Sequence, residues 1–113
     1  MLWANFLHIY QPPNQVKEIF DRVVNESYRP LVASLRQHQK IKINLNINAA
    51  LSEQFLEGGY ADVIERIRFA AERGQIEFTD SAKYHALLPF LPEDEIRRQI
   101  ELNRATNREI FGP

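Results

Sequence analysis

The chain has 113 residues, 44% hydrophobic, 26% charged and 11% aromatic, proportions that exclude a disordered or fibrous polymer. Fourteen Lys and Arg stand against 15 Asp and Glu, a formal charge of -1, so no net field exists to hold nucleic acid or an anionic membrane. The sequence contains no cysteine, which excludes disulfides, thiolate metal sites, iron–sulfur clusters and a cysteine nucleophile.

The opening run from Met1 to Tyr10 is apolar but lacks a basic leader and a small-residue cleavage site. It is also far shorter than the roughly 20 residues that span a bilayer. The expectation is a cytoplasmic chain, one segment over residues 1–113, that starts directly in its first strand. That strand is predicted over residues 2–9 and stops at Gln11-Pro12-Pro13, because proline offers no N–H to a sheet ladder.

Asn14 suits a helix cap, and Val16, Ile19, Phe20, Val23 and Val24 then recur at helical spacing. Pro30 is expected to break or restart this helix, which Leu31 and Leu35 continue to about Gln39. The period then becomes two: Ile41, Ile43, Leu45 and Ile47 alternate with Lys42, Asn44, Asn46 and Asn48, a second strand. A short helix with Leu51, Phe55 and Leu56 ends at Gly58-Gly59, and another carries Tyr60, Val63, Ile64, Ile67 and Ala71 to Gly74. A third strand is predicted over residues 75–79, then a loop over 80–91 containing Tyr84 and His85. Pro92 and the acidic run Glu93-Asp94-Glu95 open a last helix that runs to about Ile110.

Strands separated by about 30 residues of helix imply crossovers and a parallel sheet. Three parallel strands leave two raw edges, so the pattern reads as the opening of a larger α/β barrel. In such a barrel the helices lie outside. The isoleucine face of the second strand would meet them, and Lys42, Asn44, Asn46 and Asn48 would point inward. Binding sites gather at the C-terminal strand ends, here His8, residues 46–48 and residues 77–80. The asparagines equally suit helix capping or the solvation of an edge strand.

The three histidines follow no zinc spacing, and His38 sits in a Gln- and Lys-rich helix end. No metal site and no cofactor are expected. Glu77 and Asp80 are an odd number of residues apart on an extended strand, so they do not form an acid and nucleophile pair. No serine triad, phosphate loop or nucleophile elbow is present.

Two stretches carry more information: Leu7-His8-Ile9-Tyr10-Gln11-Pro12, and Gly74-Gln75-Ile76-Glu77-Phe78-Thr79 with Tyr84-His85-Ala86-Leu87-Leu88-Pro89 beyond it. Together they resemble glycoside hydrolase family 57. The first is similar to that family's opening motif, a strand ending in His-x-His-Gln-Pro. The second is similar to its Gly-x-x-Glu motif, followed by Tyr-His and Leu-Pro.

The resemblance implies the first three β/α units of an incomplete seven-stranded parallel β/α barrel. It also implies retaining chemistry on α-glucans such as starch, maltodextrin or glycogen. The nucleophilic glutamate and the acid/base aspartate of that chemistry belong to later motifs, so no catalytic residue is expected here. By the same resemblance His8 and Gln11 would hydrogen-bond sugar hydroxyls, and Glu77 would orient a neighbouring side chain or the sugar. Tyr84 and His85 would belong to the loop over the site. Tyr10 stands where the motif has its second histidine; a phenol there can bond to and stack on a sugar but stays neutral, its pKa lying near about 10.

A different class of function also fits the raw edges: a non-catalytic carbohydrate-binding or assembly module that self-associates through its sheet. A metal-dependent deacetylase barrel would need Asp-Asp near the first strand end and His-x-x-x-His, and neither occurs.

Overall fold

A computed structural model describes residues 1–112 of the chain. In chain order it runs β1 (Phe6–Ile9), α1 (Lys17–Val23), a π-helical turn (Val24–Tyr28), α2 (Arg29–Gln37) and β2 (Ile43–Ile47). Then follow α3 (Ala49–Glu57), α4 (Ala61–Glu72), β3 (Ile76–Thr79), a 3-10 turn (Leu88–Phe90) and α5 (Glu93–Phe111). The three strands form one parallel sheet in the order β1-β2-β3. The architecture is α/β, as expected.

The register places residues in transverse rows. Leu7, Leu45 and Phe78 form one row, and the helices cover that face with Phe20, Val24, Leu35, Leu51, Val63, Ile67 and Ile110. Four aromatic rings, Phe20, Tyr28, Phe55 and Tyr60, interlock in this core with centroids 5.5 to 6.4 Å apart in tilted and edge-on arrangements. The opposite face carries the rows Phe6, Asn44, Glu77 and His8, Asn46, Thr79. Among the described residues no helix covers it, and Phe6 and Glu77 are exposed.

All three strands are shorter at their starts than the sequence pattern predicts. Residues 2–4 find no ladder partner because β2 begins only at Ile43, and Met1, Leu2 and Trp3 are exposed. Ile41 is spent on a turn, its N–H donating to the His38 carbonyl at 3.0 Å. The predicted Asn14 cap is not formed. The Gln15 Oε1 atom instead accepts the Val16 N–H at 3.0 Å, and α1 starts at Lys17.

Pro30 does not break the helix. A proline removes one N–H and pushes its ring at the carbonyl four residues back. Here the turn before it is widened: the Arg29 N–H bonds five residues back, to the Val24 carbonyl, and α2 continues in line.

Helix α5 docks through polar residues. Gln99, Asn103 and Asn107 recur every fourth position and are buried together with Ile110 and Phe111. Asn103 Oδ1 accepts the Ala49 N–H at 2.8 Å, capping α3 from another helix where Asn48 provides no side-chain cap. Asn107 donates to the Ile47 carbonyl and accepts from the Ser52 hydroxyl, at 2.9 and 2.6 Å.

Candidate functional site

The alternation of β2 that sends Ile43, Leu45 and Ile47 into the core sends Asn44, Asn46 and Asn48 to the uncovered face. Their amides bridge the strands row by row. Asn44 Nδ2 donates to Glu77 Oε2 at 3.3 Å. Asn46 Nδ2 donates to the Thr79 carbonyl and hydroxyl at 3.3 and 3.2 Å, and its Oδ1 lies 2.6 Å from His8 Nδ1. Asn48 Nδ2 donates to the Ala82 carbonyl at 2.6 Å and to the Ser81 hydroxyl at 3.3 Å. A central strand thus spends its polar side chains on its neighbours, not on capping α3.

The Asn46 amide orientation is assigned from its donation to Thr79, and it makes Oδ1 an acceptor toward His8. A neutral His8 therefore carries its proton on Nδ1 and presents a lone pair at Nε2. His85 Nε2 lies 3.2 Å from that atom and supplies the proton between them. The His85 ring also stacks on Tyr10, with centroids 4.2 Å apart and planes inclined by 15°. His85 adopts φ +57°, a left-handed conformation uncommon for a residue with a side chain, so the loop holds it there against a local preference.

His8, Tyr10 and His85, 77 residues apart at the extremes, thus form one cluster at the C-terminal end of β1. Beside it lies an open cleft of about 330 Å³, bordered by His8, Asn46, Asn48, Ser81 and His85 and walled on its apolar side by residues 86–89. Glu77 lies one row below, on the same face as His8. Gln11 is turned away from the cleft: its Nε2 donates to the Tyr28 hydroxyl at 3.2 Å and its Oε1 accepts from Gln15 at 3.0 Å. Burial pushes the Tyr28 phenol up from its ordinary pKa, so it stays a neutral partner. Tyr84 is exposed, its N–H held by Gln99 Oε1 at 3.2 Å.

Asp80 points away from Glu77 and is gripped by Arg104 of α5, with both contacts on Oδ2 at 2.9 and 2.7 Å. The two acids therefore form no catalytic pair. Among the described residues no three His, Cys, Asp or Glu side chains gather where they could hold a metal ion. What remains is an array of imidazole, amide, phenol and hydroxyl groups beside an apolar wall. Such a surface suits a polyhydroxylated ligand, whose hydroxyls both donate and accept and whose carbon faces are apolar.

Periodicity pointed to the strand ends but missed what fixes them. Lys83, with its side chain only 9% exposed, contacts Glu53 at 2.6 Å and Thr106 at 3.2 Å, and nothing about an isolated loop lysine announces this. The four-residue spacing of Gln99, Asn103 and Asn107 was the available signal for a buried polar stripe.

The chain is similar to proteins of known sequence and structure along nearly its whole length. The family model described as Glycosyl hydrolase family 57 matches residues 4–113. Alpha-amylase 1 of Dictyoglomus thermophilum is 30% identical over 99 residues, covering 87% of this chain and 14% of its own. The 4-alpha-glucanotransferase of Thermococcus litoralis is 27% identical over 104 residues, covering 92% of this chain and 16% of its own. A crystal structure of the Thermococcus litoralis 4-alpha-glucanotransferase superposes with a TM-score of 0.87 at 26% identity, over 95% of this chain and 17% of that one. The chain thus spans about a sixth of the length of these relatives.

Proposed function

Because the chain belongs to glycosyl hydrolase family 57, we propose that residues 1–113 are the N-terminal part of a retaining catalytic domain that acts on α-glucans. In this reading they form the first three β/α units of an incomplete seven-stranded barrel, and the uncovered face of the sheet is the barrel interior. The observation that carries the reading is the meeting of the two family-like stretches in space: His8 and Tyr10 from the first touch His85 from the second.

The roles follow from the atoms. His8 Nε2 and His85 Nε2 share one proton, and a sugar hydroxyl that enters between them can accept from one and donate to the other. Tyr10, stacked on His85, offers a ring face and a phenol to the sugar. Glu77 orients Asn44, one row below His8 and Asn46 on the same face. Gln11 acts from behind, bracing the Pro12 loop on Tyr28, and turns to a sugar hydroxyl only if the Gln15 contact opens. The nucleophilic glutamate and the acid/base aspartate come from sequence outside residues 1–113, separated by the roughly 5 Å typical of retaining enzymes. No described helix is long and apolar enough to cross a membrane; the reading places the protein in the cytoplasm and needs no metal or organic cofactor.

Two experiments test this. The purified 113-residue chain is expected to release no reducing sugar from maltooligosaccharides, and release would contradict the assignment of both carboxylates elsewhere. In a protein that carries residues 1–113 in frame with active catalytic motifs, His8→Ala should lower kcat/KM about 10- to 100-fold. That corresponds to about 1.4–2.7 kcal/mol, within the cost of leaving a hydrogen-bonding partner unpaired. Unchanged kcat/KM would remove His8 from the site.

The assembly reading keeps one observation in its favour. Among the described residues β1 and β3 each pair on one side only, and Leu87 is exposed on the wall of the cleft. It predicts a stable oligomer of the isolated chain by light scattering, and a monomer would contradict it.

A further inference from the structure

The loop between β3 and α5 carries His85 in a left-handed conformation, and its fixing points lie elsewhere in the fold. Asn48 grips the Ala82 carbonyl and the Ser81 hydroxyl. Gln99 of α5 holds the Tyr84 N–H. Between them Lys83 is bound through both backbone and side chain. Its carbonyl accepts the Ala50 N–H of α3, and its own N–H donates to the Gln99 carbonyl, each at 3.3 Å. Its ammonium turns inward, away from the cleft, to Glu53 of α3 at 2.6 Å and Thr106 of α5 at 3.2 Å, and lies 5.5 Å from the Tyr84 ring centroid.

A lysine buried this far costs free energy unless its charge is paired, and a flexible four-carbon stem gives up its rotamer freedom to stay there. Loop lysines ordinarily leave the ammonium in water. We infer that Lys83 is a positioning residue: its ammonium, clamped by Glu53 and Thr106, pins the loop to α3 and α5 so that His85, two residues on, meets His8 and Tyr10. The inference rests on the proposed function for its consequence, because a misplaced His85 would weaken glucan recognition, but the placement itself can be measured without any glucan. Breaking the clamp frees the turn from Asp80 to His85, and His85 relaxes out of φ +57°.

The test compares Lys83→Met, Glu53→Gln and Lys83→Arg in the 113-residue chain, read by ring NMR signals of His8 and His85 and by the Tyr10–His85 nuclear Overhauser contact. Lys83→Met fills the same volume without charge. Glu53→Gln changes a half-exposed residue and keeps the fold available should Lys83→Met not fold. Both are expected to erase the Tyr10–His85 contact and shift both histidine signals while backbone signals of α1, α2 and α4 stay in place. Lys83→Arg keeps the charge and is expected to retain the contact.

Persistence of the contact in Lys83→Met or Glu53→Gln would overturn the inference, as would a loss of structure spread evenly over the chain in Glu53→Gln. The functional reading is separated by adding maltotetraose to the unmodified chain. Histidine signals that ignore the sugar, with the clamp result as expected, would sink the glucan assignment and leave the positioning role standing.

Discussion

At the residue scale the site is defined by which atom of each side chain is left over. Asn46 is committed to Thr79 and His8, so the His8 tautomer is fixed and its second ring nitrogen is the one that meets His85. The neutral ring is expected to carry its proton on Nδ1. Long-range ¹H–¹⁵N correlation spectra check this, and a proton on Nε2 would contradict the Asn46 assignment. Asn46→Ala removes both bridges and frees the ring, and it should cost about 1–3 kcal/mol by chemical denaturation. Histidine and glutamate at strand ends were legible in the sequence because polar residues there stand out against an apolar pattern. The partners that orient them were not, since Asn46 and Asn48 read equally well as caps. Lys83 carried no signal, because its burial is created by two helices that meet only in the folded chain.

A second prediction at this scale concerns acid stability. The Arg29 guanidinium lies against Asp62 with two contacts, at 2.9 and 3.0 Å, and holds its carboxyl below the usual carboxylate range. A depressed folded pKa means that the pair stabilises fully above the ordinary carboxylate pKa of about 4 and loses that contribution as pH falls through the lower folded value. Asp62→Asn should therefore lower Tm slightly at neutral pH, with the difference vanishing in strong acid. The pair is partly exposed, so added salt shrinks the effect. A difference that grows toward low pH would contradict the assignment.

At the element scale the helices on the sheet were legible wherever an apolar stripe recurs every three or four residues, as in α1, α2 and α4. Two local features escaped that rule. Pro30 was expected to break or restart a helix; it stands in the first turn of α2, and a five-residue turn widens before it to keep the helix in line, a choice no propensity encodes. Helix α5 was legible from Pro92 and its acidic first turn, but not its packing face, a buried stripe that is largely amide. Those amides satisfy backbone groups that a strand-to-helix junction would otherwise leave bare, the Ala49 N–H and the Ile47 carbonyl among them.

Asn103→Leu should consequently destabilise the chain by about 1–3 kcal/mol although it adds apolar surface, because it orphans a buried donor. A neutral or stabilising result in urea denaturation would show that the cap is dispensable. Gly58 is constrained by space. A Cβ there would lie 2.7 Å from the Tyr60 ring and 2.9 Å from the Gln54 carbonyl, so Gly58→Ala should loosen the junction of α3 and α4 and lower Tm. An unchanged Tm would contradict this.

At the scale of the whole molecule the chain is a slab, 43 × 41 × 24 Å, with one side of its sheet covered and the other bare. Its radius of gyration of 14.3 Å exceeds the roughly 13 Å expected of a compact domain of this length, in keeping with that flatness. That the three strands run parallel was legible from their spacing, whereas their order β1-β2-β3 comes from the fold. The sequence pattern also told which face of β2 meets the helices, because the alternation of isoleucine and asparagine leaves no other choice. How His8 and His85 find each other was not legible, since 77 residues separate them and only the register of β1 on β2 and the anchoring of the following loop bring them together.

The central claim is that the uncovered face around His8, Tyr10 and His85 binds α-glucan. Its most direct test is titration of the isotope-labelled 113-residue chain with maltotetraose, followed by NMR at every assigned position. The account predicts saturable shifts confined to His8, Tyr10, Asn46, His85 and the loop over residues 80–91, with cellotetraose producing none. Shifts confined to the helical face, equal shifts with both sugars, or none at saturating maltotetraose would contradict it.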